Sequence, residues 1–355
     1  MNIKSLLLGS AAALAAVSGA QAADAIVAAE PEAVEYVRVC DAFGTGYFYI
    51  PGTETCLKIG GYVRTEMRFN DNTYGANGEG DYDAYTRGYL TFEAKSDTEY
   101  GALSAYINLQ SDTERSTFLD GAWINIAGFD VGYFYSWWDD GLSGETDSLD
   151  SSFGALQNSI RYTYDGGSFL AGVSVEEINR AGRYSADLGN LVDSNDNVGF
   201  SGKLGATIAG FNVYGLASYD LNAEEAAFRI LATADLGPGK LGIAAEYATD
   251  PNYYYDQAEW TVAAEYAIKA TEKLTITPAA QYFGNYREFG TSSFSNNDAW
   301  RVGVTAGYQI TEGLRTLATV NYTDSDGDRG GSLASANAGT DDQNWTGFIR
   351  LQRDF

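Results

Sequence analysis

The acidic side chains that are the clearest candidates for a functional role lie in residues 136–157. This segment contains no lysine or arginine, and its carboxylates are Asp139, Asp140, Glu145, Asp147 and Asp150. Carboxylates that face fixed cations across a narrow water-filled passage create a field that acts on passing ions and dipoles. The alternative is that these acids only solvate an exposed loop.

Basic partners for such a field lie on polar positions of segments in which polar and apolar residues alternate. Judged by height along those segments, the best candidates are Arg64, Arg87, Arg161 and Arg350. We expect their side chains to form a basic wall opposite the carboxylates of residues 136–157.

The composition argues against catalysis and against a nucleic-acid partner. The chain has no histidine, which removes histidine-based triads and the usual zinc sites. No motif supports an aspartyl or Ser-Lys mechanism. The formal net charge of −26 is the opposite of what binding a polyanion requires. We therefore expect no enzyme, metal or cofactor.

The first residues have the pattern of a secretory signal peptide. Lys4 precedes an apolar stretch at residues 6–17 and the small-residue sequence Ala20-Gln21-Ala22. This stretch is shorter than the roughly 20 apolar residues that a spanning helix needs. We expect cleavage after residue 22 and export of the chain.

The two cysteines, Cys40 and Cys56, then lie in an exported chain, where oxidation is the default state. We expect a disulfide, which contributes on the order of 3 kcal/mol in the chain-entropy model. Zinc binding is the alternative, but two thiols without a histidine leave the ion short of ligands.

Strands are the elements that must position all these groups. From Leu57 onward, apolar and polar residues alternate, which predicts strands with one apolar and one polar face. Sixteen such segments follow, with cores near 57–69, 84–96, 102–110, 119–126, 131–135, 158–164, 169–176, 198–207, 212–220, 225–235, 240–249, 259–269, 274–284, 298–309, 314–323 and 344–355.

The connections between these segments alternate between short turns and long loops. Short turns such as 165–168 and 236–239 contrast with long loops such as 136–157 and 177–197. This arrangement is typical of an outer-membrane barrel, whereas a soluble sandwich or propeller does not sort its loops in this way. The tyrosines at strand ends suit interfacial girdles, although an ordinary aromatic core is the alternative.

A family resemblance is carried by two stretches near the N-terminus. Residues 35–41 read EYVRVCD, and residues 46–64 read GYFYIPGTETCLKIGGYVR. They resemble the general porins of alphaproteobacteria, such as the major outer-membrane porins of Brucella and rhizobia. The terminal Phe355, which ends an alternating strand, resembles the signal read by the barrel-assembly machinery.

The resemblance implies an all-β, 16-stranded antiparallel transmembrane barrel in the bacterial outer membrane, among lipid and lipopolysaccharide. It also implies a homotrimer, in which the third long loop of each barrel folds into its own pore. The expected organisation is a signal peptide at 1–22, a periplasmic-side segment at 23–56 with the disulfide, and a barrel at 57–355 whose constriction loop is 136–157.

The expected function is passive diffusion of small hydrophilic solutes and ions, with weak cation selectivity because carboxylates outnumber bases. A substrate-specific sugar or organic-acid channel is the first alternative, and Trp137-Trp138 would supply its aromatic sliding surface. A closed structural barrel or adhesin is the second, and it would conduct nothing.

Overall fold

The computed structural model describes residues 37–70, 81–113, 115–151, 154–178, 197–287, 291–326 and 343–355. The signal peptide expected at 1–22 lies outside these residues. The chain divides into two compact units, residues 1–38 and 39–355, and the second contains every strand given below. None of the helices in the described ranges has the length and apolar character needed to cross a membrane.

The described residues of the second unit form seventeen strands and a short 3-10 helix at Trp137–Asp139. The strands are β1 Phe48–Tyr49, β2 Cys56–Asn70, β3 Asp81–Thr98, β4 Gly101–Asp112, β5 Phe118–Ile126, β6 Phe129–Tyr135, β7 Leu156–Asp165, β8 Phe169–Ile178, β9 Asn197–Ile208, β10 Phe211–Asp220, β11 Glu225–Leu236, β12 Gly239–Ala248, β13 Ala258–Lys269, β14 Leu274–Tyr286, β15 Ala299–Thr311, β16 Leu314–Ser325 and β17 Gln343–Asp354.

Strands β2 to β17 close into a ring. Each pairs antiparallel with the next, and β17 returns to β2, where Ile349 stands opposite Met67. The seam continues to the last residue: the Gly61 N–H donates to the Phe355 carbonyl at 3.1 Å, and the Phe355 N–H donates to the Gly61 carbonyl at 3.0 Å. The predicted 16-stranded antiparallel barrel is confirmed.

The two faces of the wall differ as the alternation predicts. On β2, Val63 and Met67 are 50% and 55% exposed on the outside, while Glu66 between them is fully buried on the inside. On β11, Ile230 is 60% exposed and Arg229 is buried. An apolar outer face and a polar inner face is the pattern of a barrel in lipid.

Aromatic side chains form a belt on the outer face. Cross-strand ring pairs run along neighbouring strands near one rim: Phe228–Tyr247, Trp260–Tyr282, Trp300–Tyr322 and Tyr322–Trp345. Trp345 is 49% exposed, so these rings are not part of a core. They form the interfacial girdle, where aromatic rings lie at the level of the lipid headgroups.

The connections at the two rims of the barrel are sorted into short turns and long loops as predicted, with two exceptions. One rim carries only tight turns, as at 127–128 and 237–238, and the other carries the inward loop 136–155. On that second rim, however, 113–117 and 221–224 are nearly as short as the turns opposite. Loop length alone therefore does not assign these two connections to a rim.

Residues 39–55 pack against the inside of β2 and β3 at the short-turn rim. Cys40 and Cys56 form a disulfide, as predicted, and both are buried. β1 pairs with the start of β2. The ring of Tyr47 lies 5.6 Å from the Lys58 amine and 5.4 Å from the Lys95 amine, so this segment covers part of the wall at the mouth of the lumen.

The disulfide should keep residues 39–55 folded, whereas the barrel should assemble without it. In a Cys40→Ala/Cys56→Ala variant, residues 39–55 lose the cross-link, which contributes on the order of 3 kcal/mol, and limited chymotrypsin digestion should cut after Tyr47. The barrel should still show heat-dependent migration on SDS gels. Protection equal to that of the parent protein would contradict this prediction.

Candidate functional site

The connection between β6 and β7 folds into the barrel, and we call residues 136–155 the inner loop. β7 begins at Leu156, so the loop ends two residues before the expected boundary at 157. Its first turn is the 3-10 helix, capped by the Ser136 hydroxyl, which accepts the Trp138 N–H at 3.2 Å. Trp137 and Trp138 are 8% and 2% exposed.

These two tryptophans belong to an apolar core inside the barrel. The Trp138 ring lies 5.9 Å from the Tyr254 ring, and its indole N–H donates to the Ser218 hydroxyl at 2.8 Å. Phe283 and Tyr286 of β14 are fully buried in the same cluster. One side of the lumen is therefore packed like the interior of a soluble domain, which fixes where the inner loop runs.

Arg229 of β11 is the main polar anchor of the inner loop. Its guanidinium donates to the carbonyl oxygens of Trp138 at 3.1 Å and Leu149 at 2.6 Å, and also to that of Asp140. Glu246 stands directly opposite on β12 and pairs with it. Both side chains are fully buried, so this is a paired charge that also donates three hydrogen bonds to loop carbonyls.

The far half of the inner loop is held by side chains of β13 to β16. The Glu265 carboxylate accepts the N–H groups of Ser143 at 2.8 Å and Gly144 at 2.7 Å. A Cβ on Gly144 would lie 2.8 Å from that carboxylate, so a larger residue there would make the carboxylate shift. Further bonds to the loop backbone come from Gln281, Thr305 and Asn321.

The five predicted acids lie on this loop in different environments. Asp139 and Asp150 are exposed, Asp140 pairs with Lys203, and Glu145 pairs with Arg350 at 3.3 Å. Asp147 is half-buried. Burial raises the pKa of Asp147 to about 6, and the nearby Glu265 carboxylate acts in the same direction.

Three of the four predicted bases are brought together on the wall formed by β17, β2 and β3. Arg64 faces Arg87 across β2 and β3, and Arg350 faces Glu66 across β17 and β2. Arg87 binds Asp112 through two bonds of 2.7 and 3.1 Å. These arginines form a basic wall that is already largely paired with carboxylates.

The fourth predicted base lies elsewhere. Arg161 is on β7, pairs with Asp130 at 3.4 Å, and stacks over Phe134 at 4.4 Å. It also lies 5.2 Å from the Trp137 ring. Arg161 therefore supports the root of the inner loop and does not join the basic wall.

The inner loop lies against one side of the lumen. Its contacts reach from Gly172 on β8 to Asn321 on β16, and the Glu145 carboxylate meets Arg350 of β17. This leaves the arginine-bearing face of β17, β2 and β3 across from it. The arrangement can pass water and polar solutes between a carboxylate-bearing loop and a basic wall, and it resists apolar ones.

Some residues that shape the site were missed at the level of sequence. Arg229, Glu246, Glu265 and Gln281 all occupy inward positions, as many other polar residues do. The pairing of Arg229 with Glu246 follows from strand register, which the alternation does not supply. That register could have been guessed only from the tight turn at 237–238.

An Arg229→Met variant should lose about 3–5 kcal/mol of stability, because it leaves Glu246 as a buried unpaired charge and frees loop carbonyls. Unfolding in urea, followed by tryptophan fluorescence, measures this loss. The matched control is Arg315→Met. The pair of Arg315 with Asp354 is exposed, so this variant should lower the free energy of unfolding by only about 0–1 kcal/mol.

The double variant Arg229→Met/Glu246→Met should be more stable than Arg229→Met alone, because it removes the unpaired charge as well. Equal stabilities of Arg229→Met and Arg315→Met would refute the anchoring role of Arg229.

The sequence of this chain is similar to known proteins over most of its length. A family model described as "Porin subfamily" matches residues 24–348. Outer membrane protein IIIA of Rhizobium leguminosarum bv. viciae is 48% identical over 340 residues, which cover 91% of this chain and 90% of that protein. Porin Omp2b of Brucella neotomae is 34% identical over 388 residues and covers 100% of both chains.

Solved structures agree at the level of the fold. The outer membrane channel DcaP of Acinetobacter baumannii matches with a TM-score of 0.64 at 11% identity, covering 86% of this chain and 99% of the other. The family model and the full-length similarity to these relatives establish that this chain belongs to the porin subfamily of outer-membrane proteins.

Proposed function

We propose that this porin is a general diffusion channel for small hydrophilic solutes and ions across the bacterial outer membrane. Family membership identifies it as an outer-membrane channel, and the proposal assigns it no enzymatic activity. The observation that carries the proposal is a closed barrel whose lumen is divided between the inner loop and an opposing basic wall. No step of such passage requires a catalytic residue or cofactor.

The proposed organisation follows the sequence expectations. A signal peptide at 1–22 directs export, the disulfide-linked part of 23–56 lies on the periplasmic side, and the barrel follows. The proposed partners are two further copies in a homotrimer, bilayer lipid and lipopolysaccharide, and the assembly machinery acting on Phe355. The exposed apolar outer face and the place of Phe355 in the seam support this proposal.

Weak cation selectivity is the electrostatic part of the proposal. Arg87 and Arg350 on the basic wall are paired with carboxylates, which cancels much of their field. Asp139 and Asp150 on the inner loop are exposed and face water. The net charge along the passage is therefore negative, and cations are enriched there.

In planar bilayers with a KCl gradient, the reversal potential should indicate cation preference at pH 7.5. The preference should shrink as the pH falls from 7 to 5, because desolvation inside the barrel raises the pKa of both Asp147 and Asp150 to about 6, so that both lose their charge on protonation. Asp147→Asn should show lower preference at pH 7.5 and a smaller change over this range. Anion preference at pH 7.5 would overturn the proposed selectivity.

The alternative of a substrate-specific channel is disfavoured by the two tryptophans. Trp137 and Trp138 of the inner loop, which such a channel would use as a sliding surface, are buried in the apolar core. In liposome-swelling assays with sugars of increasing size, rates should fall smoothly and stay proportional to concentration. Saturation by one preferred solute would favour the specific channel, and absence of swelling would favour a closed barrel.

A further inference from the structure

A second connection, residues 249–257 between β12 and β13, also folds into the barrel, and we call it the buttress loop. Residues 251–257 are all buried, and Tyr255 and Asp256 have no exposed surface at all. Connections between strands normally lie on the surface, because their backbone groups need water. This one instead finds its partners inside the lumen.

The wall of β8 to β10 holds one side of the buttress loop. The Tyr254 hydroxyl donates to Glu176 at 2.6 Å, and the Tyr253 N–H donates to Asp220 at 3.0 Å. A Cβ on Gly199 would lie 1.9 Å from the Tyr254 hydroxyl. Glycine at position 199 therefore makes room for the tyrosine that docks the loop.

Arg287, just beyond β14, clamps the other end. Its guanidinium binds the Asp256 carboxylate at 2.6 Å and the Asp256 carbonyl at 2.8 Å, while its backbone N–H donates to the Gln257 carbonyl at 2.8 Å. The side chains of Arg287 and Asp256 are 3% and 0% exposed. A buried charge pair with these additional bonds allows the loop end little freedom.

The buttress loop in turn holds the inner loop. The Gln257 amide oxygen accepts the Ser148 hydroxyl at 2.7 Å, and its amide nitrogen donates to the Asp150 carbonyl. The Ser151 hydroxyl lies 3.4 Å from Asp256. These contacts touch residues 148–151 of the inner loop, which carry Asp150 and directly follow Asp147.

We propose that the buttress loop holds the inner loop in its open position, and that Gln257 is a positioning residue which sets both the stability of the open state and the ion selectivity. It acts through residues 148–151, because their place determines where the carboxylates of Asp147 and Asp150 stand. This inference rests on the proposed channel function and deepens it.

Single-channel recording in planar bilayers tests the role of Gln257. Gln257→Leu removes both side-chain bonds to the inner loop at similar size, so closing events at a fixed voltage should become about tenfold more frequent. The ratio of K⁺ to Cl⁻ permeability should also move toward one. The matched control is Gln309→Leu, since the Gln309 side chain donates to the Thr311 and Leu314 carbonyls at the short turn before β16.

A second variant separates positioning from general destabilisation. Ser148→Ala removes one hydroxyl and should give a smaller increase in closing, while Gln257→Leu/Ser148→Ala should match Gln257→Leu, because both changes remove the same bond. If Gln257→Leu fails to assemble, as judged by heat-dependent migration on SDS gels, Ser148→Ala carries the test alone.

The outcomes distinguish the two proposals. Absence of conductance in the parent protein would remove the channel function itself. A conducting parent, with Gln257→Leu or Ser148→Ala indistinguishable from Gln309→Leu in closing rate and permeability ratio, would overturn the role of the buttress loop and leave the channel intact.

Discussion

The hydrogen-bonded seam between β17 and β2 is the constraint on which the rest of this molecule depends. A lipid bilayer offers no water to an unpaired backbone N–H or carbonyl, so a sheet can span it only without edges. Once the seam closes the ring, each strand has one face to lipid and one to the lumen. Charged side chains must then take the inner face, which is why Glu66, Arg229 and Glu246 all lie on it.

A ring of sixteen strands encloses more space than side chains alone can fill. In this protein, two loops fill one side of the lumen. The inner loop and the buttress loop pack a hydrophobic core against β8 to β15. At its centre, Arg229 is surrounded by Glu246 and loop carbonyls. A buried ion pair of this kind adds little net stability compared with an apolar pair, but it defines one position for the loop.

Local alternation was sufficient to predict the sixteen strands and which residues face inward, because the period of a strand is a property of a few neighbouring residues. It was not sufficient for the site. Arg161 and Arg350 have the same sequence context, yet one supports the root of the inner loop and the other meets Glu145. The buttress loop is short, so its length did not indicate that it folds inward. Its inward course depends on partners that are distant in sequence, such as Glu176 and Arg287.

Arg350 joins two carboxylates, Glu66 beside it on the wall and Glu145 at the tip of the inner loop. The perimeter of the opening is therefore connected all the way round. Arg350 joins the wall to the inner loop, and the packed core joins that loop to the opposite wall. The two ion pairs of Arg350 hold the open cross-section in place before any solute arrives. Passage through the open pore needs no conformational cycle, so flux in either direction follows the concentration difference.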